Sequence, residues 1–330
     1  MARFLVSRAV GAVVTLLVAS FAVYVLVFAN GDPGASVTVM RPCAVAGPAA
    51  ECPRQVGVLE GYADTMVGLG RPGSGYLQGD LGVAQEFGGE PARTLLARRA
   101  APTAVLMLAA TLLGLVLGVG LGALAAARPG SALDRLLGTG TLVWYSVPPL
   151  LLALLLQLGV LEIHDRTGTL LVPLAGPADA AAGPAEYARA SALPVLTLVP
   201  AFAAGWSRHV RNALVGALAA DHVTGARARG VPEGRIRRHA LRLAAVPLCL
   251  VVAADLPVSL SSALLVDFIF GYGGLGTLMI RFERANGRYV LIIDPHLFLA
   301  IVALLVLVVV VVNAAADIAL AALDPRVRLR

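Results

Sequence analysis

At 330 residues the chain has the length of one large soluble domain or two small ones, but it is 58% hydrophobic and only 14% charged. Its mean hydropathy of +0.82 and several apolar runs near a bilayer's thickness exclude a soluble protein. A net charge of +6 would suggest nucleic acid in a soluble chain; here no nucleic-acid partner is expected and the charge is read as a topology signal. Every basic residue is arginine, for the chain has no lysine.

The first apolar run, 9–28, follows Arg3 and Arg8. It is longer than a signal-peptide core and no A-x-A cleavage site follows, so 1–29 reads as an uncleaved transmembrane anchor helix. Residues 30–101 are rich in Gly, Pro and mixed charge and read as an extracytoplasmic loop region, folded or partly ordered. Within it "CAVAGPAAEC" makes Cys43 and Cys52 a candidate disulfide in an oxidising compartment, the plainer reading being two free thiols. The remainder, 102–330, reads as a five-helix core with spans at 102–127, 137–160, 193–206 with frayed ends, 246–270 and 295–316. Backbone groups have no water partner in hydrocarbon, so these runs are expected as helices. The expected fold is therefore an all-α integral membrane protein with six transmembrane helices.

Arginine placement orients it. Arg3, Arg8, Arg128, Arg135, eight arginines from Arg208 to Arg242, and Arg326, Arg328 and Arg330 fall on one side. By the positive-inside rule this side and both termini are cytoplasmic. The outer segment with Arg281, Arg284 and Arg288 goes against the rule and is outvoted. The densest charge is "GARARGVPEGRIRRHALR" at 225–242, inside a cytoplasmic loop at about 208–245. Pro232 and Glu233 suit a first helical turn. Ile236, Ala240, Leu243 and Ala244 then share one helical face and Arg235, Arg238 and Arg242 another, with Gly230 as the corner. Taken alone, this is an amphipathic surface helix that either meets anionic lipid or docks a cytoplasmic partner.

The same residues resemble the coupling loop of ATP-binding-cassette importer permeases. The family pattern is T-A-R-A-K-G, then R-H-A-L-R-N-A and a proline. Ala226, Arg227, Ala228, Arg229 and Gly230 fit its first half; Arg238, His239, Ala240, Leu241, Arg242, Ala244 and Pro247 fit the second. Gly225 replaces the usual threonine and Leu243 the asparagine. "NGDPG" after the first run, "GDLG" at 79–82, "DFIFGYGGLG" at 267–276 and "NAAADIALAALDPRVRL" near the C-terminus are similar to further family motifs, in the family's order. The chain is identified as a member of the dipeptide, oligopeptide and nickel importer group, in its first (B-type) permease form.

That resemblance implies a type I importer permease in the bacterial cytoplasmic (inner) membrane. It implies a second homologous permease, two ATPase subunits and an extracytoplasmic solute-binding protein as partners. The implied function is a peptide pathway opened by ATP-driven alternating access, with nickel as a further substrate class. Ala226, Arg227, Ala228, Arg229, Gly230, Arg238, His239 and Arg242 would couple to the ATPases, which would use ATP and Mg. This chain would bind no cofactor and perform no covalent chemistry, since without lysine it has no G-x-x-x-x-G-K-[ST] loop.

Two intramembrane acids carry a cost of about 2.5–3.5 kcal/mol if left facing lipid. Asp255 is expected in the translocation cavity or in an interhelix hydrogen bond; Asp267 lines the pathway or snorkels at the outer interface. The alternative function, a secondary transporter coupled to an ion gradient, would rest on Asp255. His164, His209, His222, His239 and His296 show no paired ligand spacing, and no metal site is expected. "GYGGLG" formally fits a dinucleotide fingerprint but follows a membrane span, so a flexible turn at the pathway mouth is expected. Trp144, Tyr145 and Trp206 are placed like interface anchors.

Overall fold

The computed structural model describes residues 2–29, 36–42, 51–68, 75–170, 172–176, 183–285, 288–292 and 294–323. The chain divides into two compact units, one of 1–101 with 278–310 and one of 102–277 with 311–330. The expected Cys43–Cys52 bridge, the "NGDPG" segment and residues 324–330 fall outside the described residues.

The first unit opens with helix α1 (Ala2–Phe28), followed by the antiparallel hairpin β1 (Ser36–Pro42) and β2 (Glu51–Gly57) and helix α2 (Val58–Val67). Tyr24, Val37, Val56, Val58 and Met66 close a small apolar core. The Tyr62 hydroxyl lies 2.7 Å from Ser20 Oγ and donates to the Leu17 carbonyl at 3.1 Å, tying α2 to α1. The "GDLG" segment turns sharply: Asp80 Oδ1 accepts the Gly82 amide at 3.1 Å, and Gly79 and Gly82 take φ of 82° and 77°. A two-residue ladder, β3 (Val83–Ala84) with β4 (Glu90–Pro91), leads into helix α3 (Ala92–Ala126). A second hairpin, β5 (Arg281–Ala285) with β6 (Arg288–Ile292), precedes helix α10 (Pro295–Leu323). The buried Asp294 caps α10 by accepting the Leu297 amide at 3.0 Å.

The second unit is built on α3 from Pro102, α4 (Ala132–Ser146), α5 (Pro149–Thr167), α6 (Pro184–Leu218), α7 (Asp221–Ala228), α8 (Glu233–Ile269) and α9 (Leu275–Met279). Helix α6 is its centre: 72% of its apolar window is buried, against 28% for α3 and for the apolar part of α8. Gly114, Gly118 and Gly122 recur every fourth residue, so they line one face of α3 and let α6 approach backbone to backbone. A Cβ at Gly114 would stand 2.8 Å from Phe202 Cβ, and one at Gly122 would stand 2.5 Å from the Ser207 carbonyl oxygen.

Among the described residues, four helices are long and apolar enough to cross a membrane: α3, α6, α8 from Pro247, and α10 to Ala316. The bent pair Ala132–Ser146 and Pro149–Thr167 makes a fifth if it is taken as one broken span, and α1 holds a shorter apolar stretch, Val13–Phe28. The expected span over 137–160 falls on two helices, α4 and α5, which meet at 92°. Val147 and Pro148 are extended, with ψ of 118° and 134°. Two consecutive prolines explain the break, because each lacks an N–H and biases the residue before it away from helix. The expected 193–206 span is the middle of the much longer α6. The expected surface helix and the 246–270 span are one uninterrupted helix, α8.

Gly122→Leu is expected to cost about 1–3 kcal/mol through overpacking of the seam, seen as earlier thermal unfolding in detergent. Gly120→Ala, with nothing within 4 Å of its added Cβ, should leave the midpoint unchanged or raise it.

Candidate functional site

The segment 221–242 folds as a helix, a tight turn and the start of a second helix. Helix α7 ends at Ala228, and Gly230 follows in the left-handed region at φ +77°. The Gly230 amide donates to the Arg227 carbonyl at 2.9 Å and the Val231 amide to the Ala226 carbonyl at 3.1 Å. These two bonds make a Schellman close, which satisfies carbonyls that the helix end leaves open. Pro232 then caps α8 in an extended conformation, ψ 137°, and Glu233 enters its first turn. The sequence thus dictates a corner: a glycine that can turn left, then a proline that cannot continue the first helix.

The corner is stapled across its mouth. Arg227 Nε donates to Glu233 Oε1 at 2.7 Å, with both side chains about half exposed (46% and 51%). That hydrogen bond holds the Glu233 carboxyl below its ordinary range and the Arg227 guanidinium above its own. A depressed carboxyl pKa means the staple is fully made above the ordinary glutamate range and is lost as pH falls through the lowered value. Arg227 thus pairs within the chain while staying about half exposed at the corner.

Around this corner the apolar and basic faces separate cleanly. Val223, Ile236, Ala240 and Ala244 are buried, the last two packing with Val210 and Leu214 of α6 and Ala126 of α3. Ala226 is half-buried, while Arg227, Ala228, Arg229, Gly230, Arg238, His239 and Arg242 are exposed. Arg229, Arg235, Arg237, Arg238 and Arg242 form no ion pair among the described residues. The result is a cationic corner packed on the helix bundle, with five exposed arginines.

Asp255 accepts the indole N–H of Trp206 at 3.0 Å, joining α8 to α6. This is the interhelix hydrogen bond that was one of its two expected roles. Trp206, expected as an interface anchor, is 2% exposed and belongs to the core. Asp267, expected as a pathway or interfacial residue, is fully buried. Its two carboxylate oxygens accept the amides of Gly274 at 2.9 Å and Gly276 at 2.6 Å. Thr103 Oγ1 accepts the amide between them, that of Leu275, at 2.8 Å. The expected flexible turn at 271–276 is thus a pinned loop. Gly276 has no room for a side chain, because a Cβ there would overlap the Leu264 carbonyl. Tyr272, within the loop, is buried with its hydroxyl 2.8 Å from Ser191 Oγ.

Two further residues went unread in the sequence. Asp134 and Arg211 form a two-pronged ion pair between α4 and α6. The pattern Ser131-x-x-Asp134 before an apolar run marks a helix start, but nothing in it points to Arg211.

Residues 118–329 match the family described as the inner membrane component of binding-protein-dependent transport systems. The chain belongs to that family. It is 30% identical to the oligopeptide transport system permease protein OppB of Mycobacterium tuberculosis over 340 residues, covering all of both chains. To the oligopeptide transport system permease protein AppB of Bacillus subtilis it is 28% identical over 254 residues, 76% of this chain and 77% of that one. Among solved structures, the inward-facing MetNI methionine ABC transporter matches with a TM-score of 0.52 at 20% identity, over 70% of this chain and 96% of that one. That likeness shows the shared fold, the type I importer permease. This multi-pass membrane permease carries its bent pair, its basic corner, the 271–276 loop and, of the glycine seam, Gly118 and Gly122 inside the matched region.

In the permease, Asp267→Asn would keep the side chain's shape but set an amide N–H against a backbone N–H. The expected cost is about 1–3 kcal/mol, with faster hydrogen exchange across 271–276; unchanged exchange there would contradict the pinning.

Proposed function

We propose that the chain is a permease subunit of an ATP-binding-cassette importer that admits peptides across the bacterial cytoplasmic membrane. The observation that carries this reading is the cationic corner at 221–242, exposed at its tip and continuous through α8 with the membrane-spanning bundle. A separate ATPase subunit would seat on the corner through acidic and backbone acceptors facing Arg229, Arg235, Arg238 and Arg242. The names of the relatives, oligopeptide permeases matched over the full length of one and 77% of the other, support peptides as the substrate class.

In this reading two ATPases bind and hydrolyse ATP with Mg, and a second, homologous permease completes the pathway. An extracytoplasmic solute-binding protein delivers the peptide. Closure of the ATPases displaces the corner, and α8 carries that displacement into the bundle, switching the pathway between outward and inward access. The arginine placement supports a cytoplasmic corner and cytoplasmic termini in this reading. The permease itself supplies no catalytic group.

Gly230 offers the sharpest test, because nothing lies within 4 Å of an added Cβ and only the backbone angle constrains it. A β-branched residue at φ +77° is disfavoured by about 1–2 kcal/mol, roughly a factor of 5–30 in the competent turn. In proteoliposomes holding the full importer, Gly230→Val is expected to cut ATP-dependent uptake of radiolabelled tri-alanine while membrane insertion persists. Gly230→Asn, which tolerates the left-handed region, should retain most of it. Equal uptake by both variants would sink the proposal.

A further inference from the structure

The coupling corner is not the only place where the cytoplasm-side ends of the helices are tied together. Arg211 Nε donates to Asp134 Oδ1 at 2.6 Å and its Nη2 to Oδ2 at 2.6 Å, a planar fork on a carboxylate. The Asp134 side chain is 5% exposed and that of Arg211 is 32% exposed. The carboxylate does not choose its own position. Oδ2 also accepts the Gly130 amide at 2.8 Å, and the Asp134 amide donates to Ser131 Oγ at 3.2 Å. Asp134 is therefore set by the first turn of α4, and the partner that it holds lies on α6.

Each helix that meets there has a particular mechanical situation. The last turns of α6 carry Val210 and Leu214, which pack against Ala240 and Ala244 of α8 and Ala126 of α3. Two residues after α6 ends, α7 begins. Arg211 thus sits on the segment to which the corner is rooted on both sides, by chain continuity through α7 and by packing through α8. Helix α4, in contrast, is cut from α5 by the 92° bend. Beside the pair, Leu137 and Thr141 of α4, Ser207 of α6 and Leu121 and Ala125 of α3 line a small, mostly apolar notch.

We propose that the Asp134–Arg211 pair is a clasp that makes α4 follow the coupling corner, with Val147–Pro148 as the hinge. The proposal rests on the reading of 221–242 as the ATPase-docking element. Its two residues are positioning residues: they touch neither peptide nor nucleotide. An ion pair buried on one side contributes little net stability once desolvation is counted, but its fork geometry fixes the relative placement of two helices. Displacement of the corner moves the end of α6; the clasp passes that movement to α4; the proline break lets α4 turn without dragging α5.

The test uses the assembled importer in nanodiscs, with spin labels at Leu136 on α4 and Leu155 on α5, both exposed. The distance between the labels is measured without nucleotide and with ATP and Mg, and ATP hydrolysis is followed in the same samples. The native permease is expected to show a nucleotide-dependent shift in that distance. Asp134→Asn, which keeps the shape but removes the charge, should lose the shift while the ATPases remain bound and hydrolyse ATP. Arg211→Lys, which keeps the charge but not the fork, should show a reduced shift. A full shift in Asp134→Asn, or none in the native complex while hydrolysis runs, overturns the clasp and leaves the docking proposal standing. Loss of bound ATPase in both variants would show that the pair merely holds the fold, and also overturns it. If the native chain recovers no ATPase at all, the docking proposal fails first and the clasp falls with it.

Discussion

A helix that runs without a break from Glu233 to Ile269 ties what lies at its start to what lies at its finish. At about 1.5 Å of rise per residue, α8 is a rod long enough to carry the basic corner at its start and the Asp267-pinned loop at its finish. Along its length it is held by Ala240 and Ala244 against α6, and then by the Asp255–Trp206 hydrogen bond. Pro247 and Pro257 lie inside it, each removing one N–H and admitting a bend without ending the helix. This continuity turns an exposed patch of arginines into something mechanically connected to a membrane-spanning bundle.

The rod needs a firm bed, and α6 supplies it. Lipid gives no hydrophobic reward for helix association, so contact must come from close packing and a few interhelix polar bonds. The Gly114–Gly118–Gly122 seam brings α3 against α6 at backbone distance. Among the described acids of the second unit, the buried Asp134 binds α6, the buried Asp267 binds the loop amides, and Asp255, though exposed, accepts from Trp206. None is left as an unpaired charge in hydrocarbon, which is the condition for carrying an acid there at all. Asp267 with two glycine amides does for the 271–276 loop what Asp134 with Gly130 does for the start of α4.

Much of this was legible before any coordinates. Apolar run length announced the helices, arginine placement singled out the 208–245 side, and the Gly230–Pro232 spacing foretold the corner, because those signals are local. What stayed hidden was non-local. The cost of burying Asp267 was plain from its neighbours, but its acceptors are backbone amides that a loop had to fold back to supply. Trp206 looks like an interface anchor until α8 brings Asp255 to it. The bend between α4 and α5 was in principle readable from Pro148–Pro149, and run length overrode it: 137–160 is apolar enough to span, and hydropathy is blind to direction. Helix α6 outruns its apolar stretch because Arg208 and Arg211 interrupt the run, yet Arg211 is neutralised by Asp134, far away in sequence.

The central claim, that the corner at 221–242 is where an ATPase engages, is tested most directly by cross-linking. Ala228 is exposed at the tip, and Ala228→Cys in a chain whose native cysteines are serine provides a single reactive thiol. Expressed with the neighbouring genes and treated with a short bifunctional thiol reagent, it should be captured by an ATPase subunit, with a yield that changes when ATP and Mg are added. A chain that cross-links to no ATPase and still drives peptide uptake without ATP would contradict the account.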